Sequence, residues 1–185
     1  RNTDSYFDGS IEVSPALLES FAIALPPDTV TDVGRGEVRL LLPKGAPPKL
    51  EFQTDLAGIG VNIPQIGWRK KPAQTGKLVF SATLSSPIDV HQITFAANGL
   101  KAIGNLGLTA EGKFERLDLS TLEIGGWLKS PVSLIGRGAA QAPEIIVTGG
   151  TMDLRKLPQT GSRKGRNGPI NLSLKRLQVS NGIAL

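Results

Sequence analysis

The chain has 185 residues, 39% hydrophobic and 20% charged, a composition that excludes an intrinsically disordered protein and fits a single domain over residues 1–185. It has no cysteine, which excludes disulfides and thiol chemistry. Its net charge of +5 is spread along the sequence, so contact with anionic lipid or nucleic acid is permitted but not required.

One helix is predicted near the start of the chain, over residues 14–25. Ser14 suits the N-cap and Pro15 the first helical position, where a missing N–H costs nothing. Pro26 and Pro27 end the pattern. Four apolar residues form one side of this helix: Leu17, Leu18, Phe21 and Leu25. We expect the helix to cap sheet edges or one end of a groove.

Residues 36–182 predict a long antiparallel sheet. Apolar and polar residues alternate in GKLVFSATL at 76–84, and glycine-containing turns recur roughly every 10–14 residues. The apolar phase shifts between Leu119 and Leu122, which predicts a β-bulge. The expected fold is therefore mainly β: a curled, taco-like or open-barrel meander with an apolar concave face, plus one short helix.

Two basic stretches, WRKKPAQTG at 68–76 and PQTGSRKGRNGP at 158–169, interrupt the alternation and are predicted to be exposed loops. Their charges are explained either by plain solvation or by an anionic surface nearby. Binding of nucleic acid would require aromatic residues among the basic ones, and only Trp68 meets that requirement. We therefore expect no nucleic-acid partner.

The sequence offers little for catalysis. His91 is the only histidine, so a zinc site with three or four His or Cys ligands cannot be assembled, and we interpret it as a surface residue. The acidic residues are scattered, and the glycines of 34–37 and 136–140 lack P-loop spacing. We expect no catalytic residues, no metal and no cofactor, and hence no enzyme.

The one-sided aliphatic alternation is the remaining signal. Periodicity alone fits both an ordinary closed core and a groove that holds lipid. If a groove exists, the candidate residues that line it are Leu78, Phe80, Leu84, Ile93, Phe95, Leu106 and Leu108.

The residues also resemble a known family. The segments at 6–45, 55–84, 108–126 and 147–158 resemble the AsmA-like proteins of Gram-negative bacteria, in particular their YhdP-like, TamB-related branch. The likeness rests on a short helix that ends in Pro-Pro, a Leu-x-Gly-Ile segment before a proline-bearing turn, and strand pairs joined through glycine turns. It covers most of residues 6–158.

This resemblance implies a function. Proteins of this family are similar to bridge-like lipid carriers, with a long sheet whose apolar groove takes phospholipid toward the outer membrane and so maintains the envelope. It implies that this chain is one periplasmic section of a longer protein, anchored to the inner membrane through a segment outside the present sequence. The alternatives are a structural or protein-interaction β-domain with a closed core and, third, a carbohydrate-active enzyme.

Overall fold

The computed structural model describes residues 5–20, 28–138, 141–158 and 168–184, which are mainly β. The described helix is α1 (Pro15–Ser20), and short 3₁₀ turns occur at Pro64–Ile66 and Leu154–Lys156. In chain order the strands are β1 (Ser5–Val13), β2 (Val30–Asp32), β3 (Gly34–Leu42), β4 (Lys49–Thr54), β5 (Ile59–Ile63), β6 (Trp68–Lys70), β7 (Gly76–Thr83), β8 (Asp89–Ala97), β9 (Leu100–Leu108), β10 (Phe114–Ile124), β11 (Leu128–Ile135), β12 (Glu144–Thr148), β13 (Thr151–Asp153), β14 (Ile170–Ser173), β15 (Arg176–Ser180) and β16 (Ile183–Ala184).

Thirteen of the described strands form one large sheet. The first eight strands of this sheet lie side by side in the order β1, β3, β4, β7, β8, β9, β10 and β11, and each adjacent pair among them is antiparallel. Within the described residues β1 and β16 lie at opposite ends of the strand order, so the sheet remains open. The prediction of a mainly β meander with an open sheet is confirmed.

The sheet branches beyond β11, where the prediction of antiparallel pairing is wrong. β12 and β13 both pair antiparallel with β11, but β14 pairs parallel with β12 and β15 pairs parallel with β13. Parallel neighbours cannot be joined by a tight hairpin, and in both of these pairs other segments of the chain separate the two partner strands. Alternation along a strand is the same for both pairings, so the sequence pattern did not distinguish them.

A second sheet of three strands, in the order β2, β5, β6, accounts for the largest error in the predicted loops. The stretch 68–76 was expected to be exposed, but Trp68 and Lys70 are both buried and belong to β6. The remainder of that stretch is a turn leading into β7. Of the other predicted loop, residues 159–167 lie outside the described residues.

The ends of two other predicted elements differ from the sequence expectation. The main sheet begins before the helix, because β1 pairs along its full length with β3, whereas the predicted sheet began at residue 36. Helix α1 begins at Pro15 as predicted, and the Leu17 N–H donates to the Ser14 hydroxyl at 3.3 Å. Residues 21–25 of the predicted helix, and the two prolines expected to end it, lie outside the described residues.

The predicted bulge in β10 is confirmed. The registers of β10 with β11 and with β9 both shift just after Leu119. A second shift occurs in β8 between Val90 and Ile93, where Gln92 adopts a positive φ of 56°. Each bulge adds one residue and restores the apolar side chains that follow to the same face.

Candidate functional site

The strand register gives the large sheet one apolar face and one charged face. Paired residues in adjacent strands share a face, so Phe52, Phe80 and Leu78 lie on the same face as Phe95, Ala102 and Leu122. Following this register from β1 to β15, the described strand residues of the apolar face include no Asp, Glu, Lys, Arg or His. The ionisable strand residues of this sheet lie on the opposite, charged face.

One end of the apolar face is closed by the small sheet. Ile59, Val61 and Trp68 of the small sheet, with Leu56 just before it, form one cluster with residues from four strands of the large sheet: Leu100, Ile124, Leu128, Val132 and Val147. Ile59 and Ile124 are each only 2% exposed. This packed cluster, which we call the closed end, is an ordinary hydrophobic core.

Lys70 stabilises the turn that places the small sheet. Its side chain is 2% exposed, and its ammonium group donates to the carbonyl oxygens of Leu56 at 2.6 Å and Ile59 at 2.7 Å. A third, longer contact reaches the Lys71 carbonyl at 3.3 Å. Burial lowers the pKa of Lys70 from its ordinary value, while the charge of Asp55 acts in the opposite direction. The cation thus ties together the two ends of the turn between β4 and β5, where the Ile59 N–H also donates to the Leu56 carbonyl oxygen at 3.2 Å.

The opposite end of the apolar face is open. Here the apolar side chains are half-buried or exposed: Phe7 is 63% exposed and Phe114 is 42% exposed. We call this set the apolar stripe, and it consists of Phe7, Leu40, Leu42, Leu50, Leu84, Ile88, Val90, Leu106, Leu108, Phe114 and Leu117. It crosses seven adjacent strands, from β1 to β10, which at the usual strand spacing is roughly 29 Å.

All seven residues that the sequence nominated lie on the apolar side, but in three environments. Leu78 and Phe95 pack against the closed end, with the Phe95 ring 5.6 Å from that of Trp68. Phe80 stacks on Phe52 at 5.1 Å, beside the half-buried Ile93. The remaining three belong to the apolar stripe: Leu84, Leu106 and Leu108.

Sequence reasoning missed the part of the stripe contributed by the first strands. Phe7, Leu42 and Leu50 were not nominated, although SYFDGSIEV carries the same alternation as the strands that were chosen. Phe114 follows a glycine turn, and its pairing with Leu108 precedes a register shift. The face of the sheet on which the Phe114 side chain lies is therefore set by a bulge, which the alternation pattern alone did not predict.

The turns at the open end carry a positive rim. Three basic residues, Lys44, Lys113 and Arg137, lie in the described turns that follow β3, β9 and β11. Glu111 is the acidic residue of these three turns, and hydrogen bonding to Thr109 lowers its pKa. The rim next to the apolar stripe is therefore net positive.

The charged face is crossed by ion pairs between strands. Asp8 accepts from Arg39 at 2.7 Å, and Lys129 lies 3.0 Å from Glu123. Arg155 holds Asp153 through two hydrogen bonds of 2.8 Å and lowers the pKa of that carboxyl to about 2. The first two pairs are exposed, so their main effect is to keep this face hydrated, whereas the Asp153 side chain is only 17% exposed.

The described residues contain no cluster of side chains suited to hold a metal ion. No group of three or more His, Asp or Glu side chains comes together in them. His91 lies partly exposed on the charged face near Asp89 and Thr83, as the sequence predicted for a surface residue. Asp118 is held by Arg116 and Ser133, which lower its pKa. Within the same residues, no helix is long and apolar enough to span a bilayer.

Comparison of the chain with protein-family models, curated proteins and solved structures found no match.

Proposed function

We propose that the chain is a non-enzymatic lipid carrier that holds phospholipid acyl chains along the apolar stripe, as a periplasmic section of an AsmA-like lipid-transfer protein. The observation that carries the proposal is a partly exposed apolar surface that crosses seven strands without an ionisable side chain. Apolar patches of this extent on a protein surface mark sites of contact with lipid, ligand or another protein.

The dimensions of the stripe fit an acyl chain. The hydrocarbon core of a bilayer, about 30 Å thick, contains two opposed layers of acyl chains, so one extended chain covers about 15 Å. The stripe is roughly twice as long. Each methylene group transferred from water to such a surface contributes about 0.8 kcal/mol, and no polar group in the stripe fixes the position of the chain along it.

The positive rim supports the proposal because it can bind the headgroup of a phospholipid. A phospholipid has an anionic phosphate at one end of its acyl chains, and Lys44, Lys113 and Arg137 are placed in the turns beside the stripe. A cation near an anionic lipid surface contributes about 1 kcal/mol. In this arrangement the acyl chains lie on the stripe and the headgroup lies at the rim, in water.

Site-specific photo-crosslinking in cells tests the proposal. A photoreactive amino acid is placed at Leu84 or Phe114, which are exposed enough to accept it, and at Glu51 on the charged face as the control. We expect phospholipid adducts at the two stripe positions and none at Glu51. Equal labelling at all three positions, or none at any, would contradict the proposal.

The closed end favours a second candidate, a structural or protein-interaction β-domain. In that case another polypeptide covers the stripe and excludes lipid. The same crosslinking experiment separates the two candidates, because adducts at Leu84 and Phe114 would then be protein of a defined mass.

A further inference from the structure

Strand β1 forms a long edge of the large sheet. It pairs with β3 over all nine of its residues, and no described strand pairs with its other side. A strand in this position presents a row of backbone N–H and C=O groups, which is a template for pairing with another strand. We call this side of the strand the β1 edge.

The β1 edge lacks the features by which sheets usually prevent such pairing. Its sequence, SYFDGSIEV, contains no lysine and no proline, and its register with β3 runs without a bulge. The strands at the other edges of the described sheet are short: β14 has four residues and β16 has two. Short edge strands are themselves a protection, so β1 is the edge best suited to accept a further strand.

Two exposed aromatic side chains also fit a partner at this edge. Phe7 on the apolar face is 63% exposed, and Tyr6 on the charged face is 70% exposed. Aromatic residues are enriched where protein surfaces meet. A strand placed beside β1 would cover part of both rings.

We propose that the β1 edge pairs antiparallel with the β1 edge of a second copy of this chain, in a two-fold dimer. Such an interface uses the same surface on both copies, so β1 must be complementary to itself. This condition is met when the two-fold axis passes through Gly9, because all nine residues of each strand are then paired. Phe7 lies opposite Ile11 of the second copy, and the apolar faces of both copies lie on the same side of one continuous sheet.

The charges of β1 select this register. On the charged face Asp8 lies opposite Ser10 of the second copy, and Glu12 lies opposite Tyr6. A shift of two residues in one direction places Asp8 opposite Asp8, and a shift of two in the other places it opposite Glu12. Like charges directly opposite each other are destabilising, and β1 has no basic residue to offset them.

The remaining registers are also less favourable. A shift of one residue would bring the apolar face of one copy beside the charged face of the other. Shifts of four residues pair only about half of each strand. The register centred on Gly9 is therefore the one in which length, face and charge agree.

The proposal does not rest on lipid binding. It uses the backbone edge of β1, and Phe7 is the residue of the apolar stripe that β1 contributes. The substitution Leu106→Asp leaves the β1 edge unchanged. Dimerisation of a lipid-free preparation, or of that variant, would support this proposal whatever the outcome for the lipid carrier.

Disulfide formation tests the register, because the chain has no cysteine of its own. Tyr6→Cys with Glu12→Cys places cysteines directly opposite each other in the proposed dimer, with Cβ atoms about 4.5–5.5 Å apart. The matched control, Tyr6→Cys with Ser10→Cys, changes exposed residues of the same face but leaves the cysteines diagonal, about 7–8 Å apart. Within one chain, the cysteines of either variant are separated by at least about 13 Å of strand, too far for a disulfide.

A charge substitution tests the affinity in solution. Ser10→Asp places a second carboxylate opposite Asp8 at two points of the dimer, whereas Ser10→Asn adds no charge. Sedimentation equilibrium measures the dimer dissociation constant, and circular dichroism confirms that both variants fold. We expect the Asp variant to dimerise at least about threefold more weakly than the Asn variant.

We expect the parent to dimerise and the first cysteine variant alone to give a covalent dimer on non-reducing gels. The proposal is overturned if the parent sediments as a monomer throughout the concentration range, or if the two cysteine variants give equal yields of covalent dimer. It is equally overturned if the Asp and Asn variants dimerise alike, or if native mass spectrometry finds a different polypeptide bound to the chain in place of a second copy.

Discussion

At the scale of the residue, Lys70 is the side chain whose environment differs most from what its type suggests. It is a basic residue in a basic stretch, yet it is buried, and its ammonium group binds the carbonyl oxygens of Leu56 and Ile59. Lysine can be buried in this way because its stem is aliphatic and its head carries three donors.

Substitution of Lys70 with methionine tests this role. The change keeps the length of the side chain but removes the hydrogen bonds that the buried ammonium group donates to three carbonyl oxygens, so we expect a loss of about 1–3 kcal/mol in the free energy of unfolding. Urea denaturation measures it. The matched control is Arg69→Met, at the exposed neighbouring position, which we expect to change stability by less than about 0.5 kcal/mol. Equal effects of the two substitutions would show that Lys70 has no special role.

Asp153 gives the chain a stability that depends on pH. The pKa of its carboxyl is about 2 in the folded protein, below the ordinary value of 3.8, because Arg155 donates hydrogen bonds to it. The unfolded chain therefore binds the proton more readily, and the stabilisation is present above pH 3.8 and disappears as the pH falls toward 2.

We expect Asp153→Asn to be less stable than the parent at neutral pH and to approach it in acid. Denaturation curves of both proteins between neutral pH and pH 2 measure the difference in unfolding free energy. A difference that stays constant across this range would contradict the assignment to the Asp153 carboxylate.

At the scale of the element, the tightest contact between strands lies at Gly104. A Cβ at this position of β9 would overlap the backbone carbonyl of Asp118 in β10, next to the bulge. At Gly107, three residues further along the same strand, the nearest atom to such a Cβ is 3.7 Å away. The pair makes a matched comparison within one strand.

We expect Gly104→Ala to destabilise the protein by about 1–3 kcal/mol, because the strands must separate to admit the methyl group. Gly107→Ala is expected to be neutral or stabilising by up to about 1 kcal/mol, since it reduces the freedom of the unfolded chain. Thermal unfolding of the two variants measures the difference. A Gly104→Ala protein as stable as the parent would show that β9 and β10 are not in close contact there.

The elements predicted well are those whose structure is set by the residue pattern of one strand alone. The alternation of 76–84 and the phase shift after Leu119 both report the path of one strand, and both were confirmed. The strand at Trp68–Lys70 was missed because its hydrophobic partner, the apolar face, is distant in sequence. The parallel pairing of β12 with β14 was missed because alternation along a strand is the same in parallel and antiparallel pairs.

The site was predictable to the same limited extent. Alternation placed Leu106 and Leu108 on the apolar face, but whether a residue of that face is covered depends on where the small sheet packs. Phe95 and Leu78 therefore belong to the closed end, whereas Leu106 belongs to the apolar stripe. No local pattern separates these two groups.

At the scale of the whole molecule, the large sheet is amphipathic, and the described small sheet covers the closed end of its apolar face. Covering one end of an apolar face with protein secures the fold, and the open end then remains available for a ligand. Because the packed core lies at the closed end, residues of the apolar stripe at the open end can be substituted without destroying that core.

The substitution Leu106→Asp tests that division. Leu106 is half-buried in the stripe, so we expect the variant to remain folded but to lose bound lipid, because the carboxylate must be desolvated when an acyl chain covers it. The control is Asn105→Asp, which adds the same charge at the next residue of β9 on the charged face. Circular dichroism reports folding and lipid extraction reports binding. If both variants retain equal lipid, the stripe is not the binding surface.

The measurement that tests the central claim most directly is native mass spectrometry of the protein purified from cells, with lipid extraction and a detergent-washed control. We expect phospholipid bound in a defined stoichiometry that detergent removes and that Leu106→Asp prevents. A lipid-free mass for the untreated parent, together with a cooperative melting transition that added lipid does not shift, would contradict it and leave a structural β-domain.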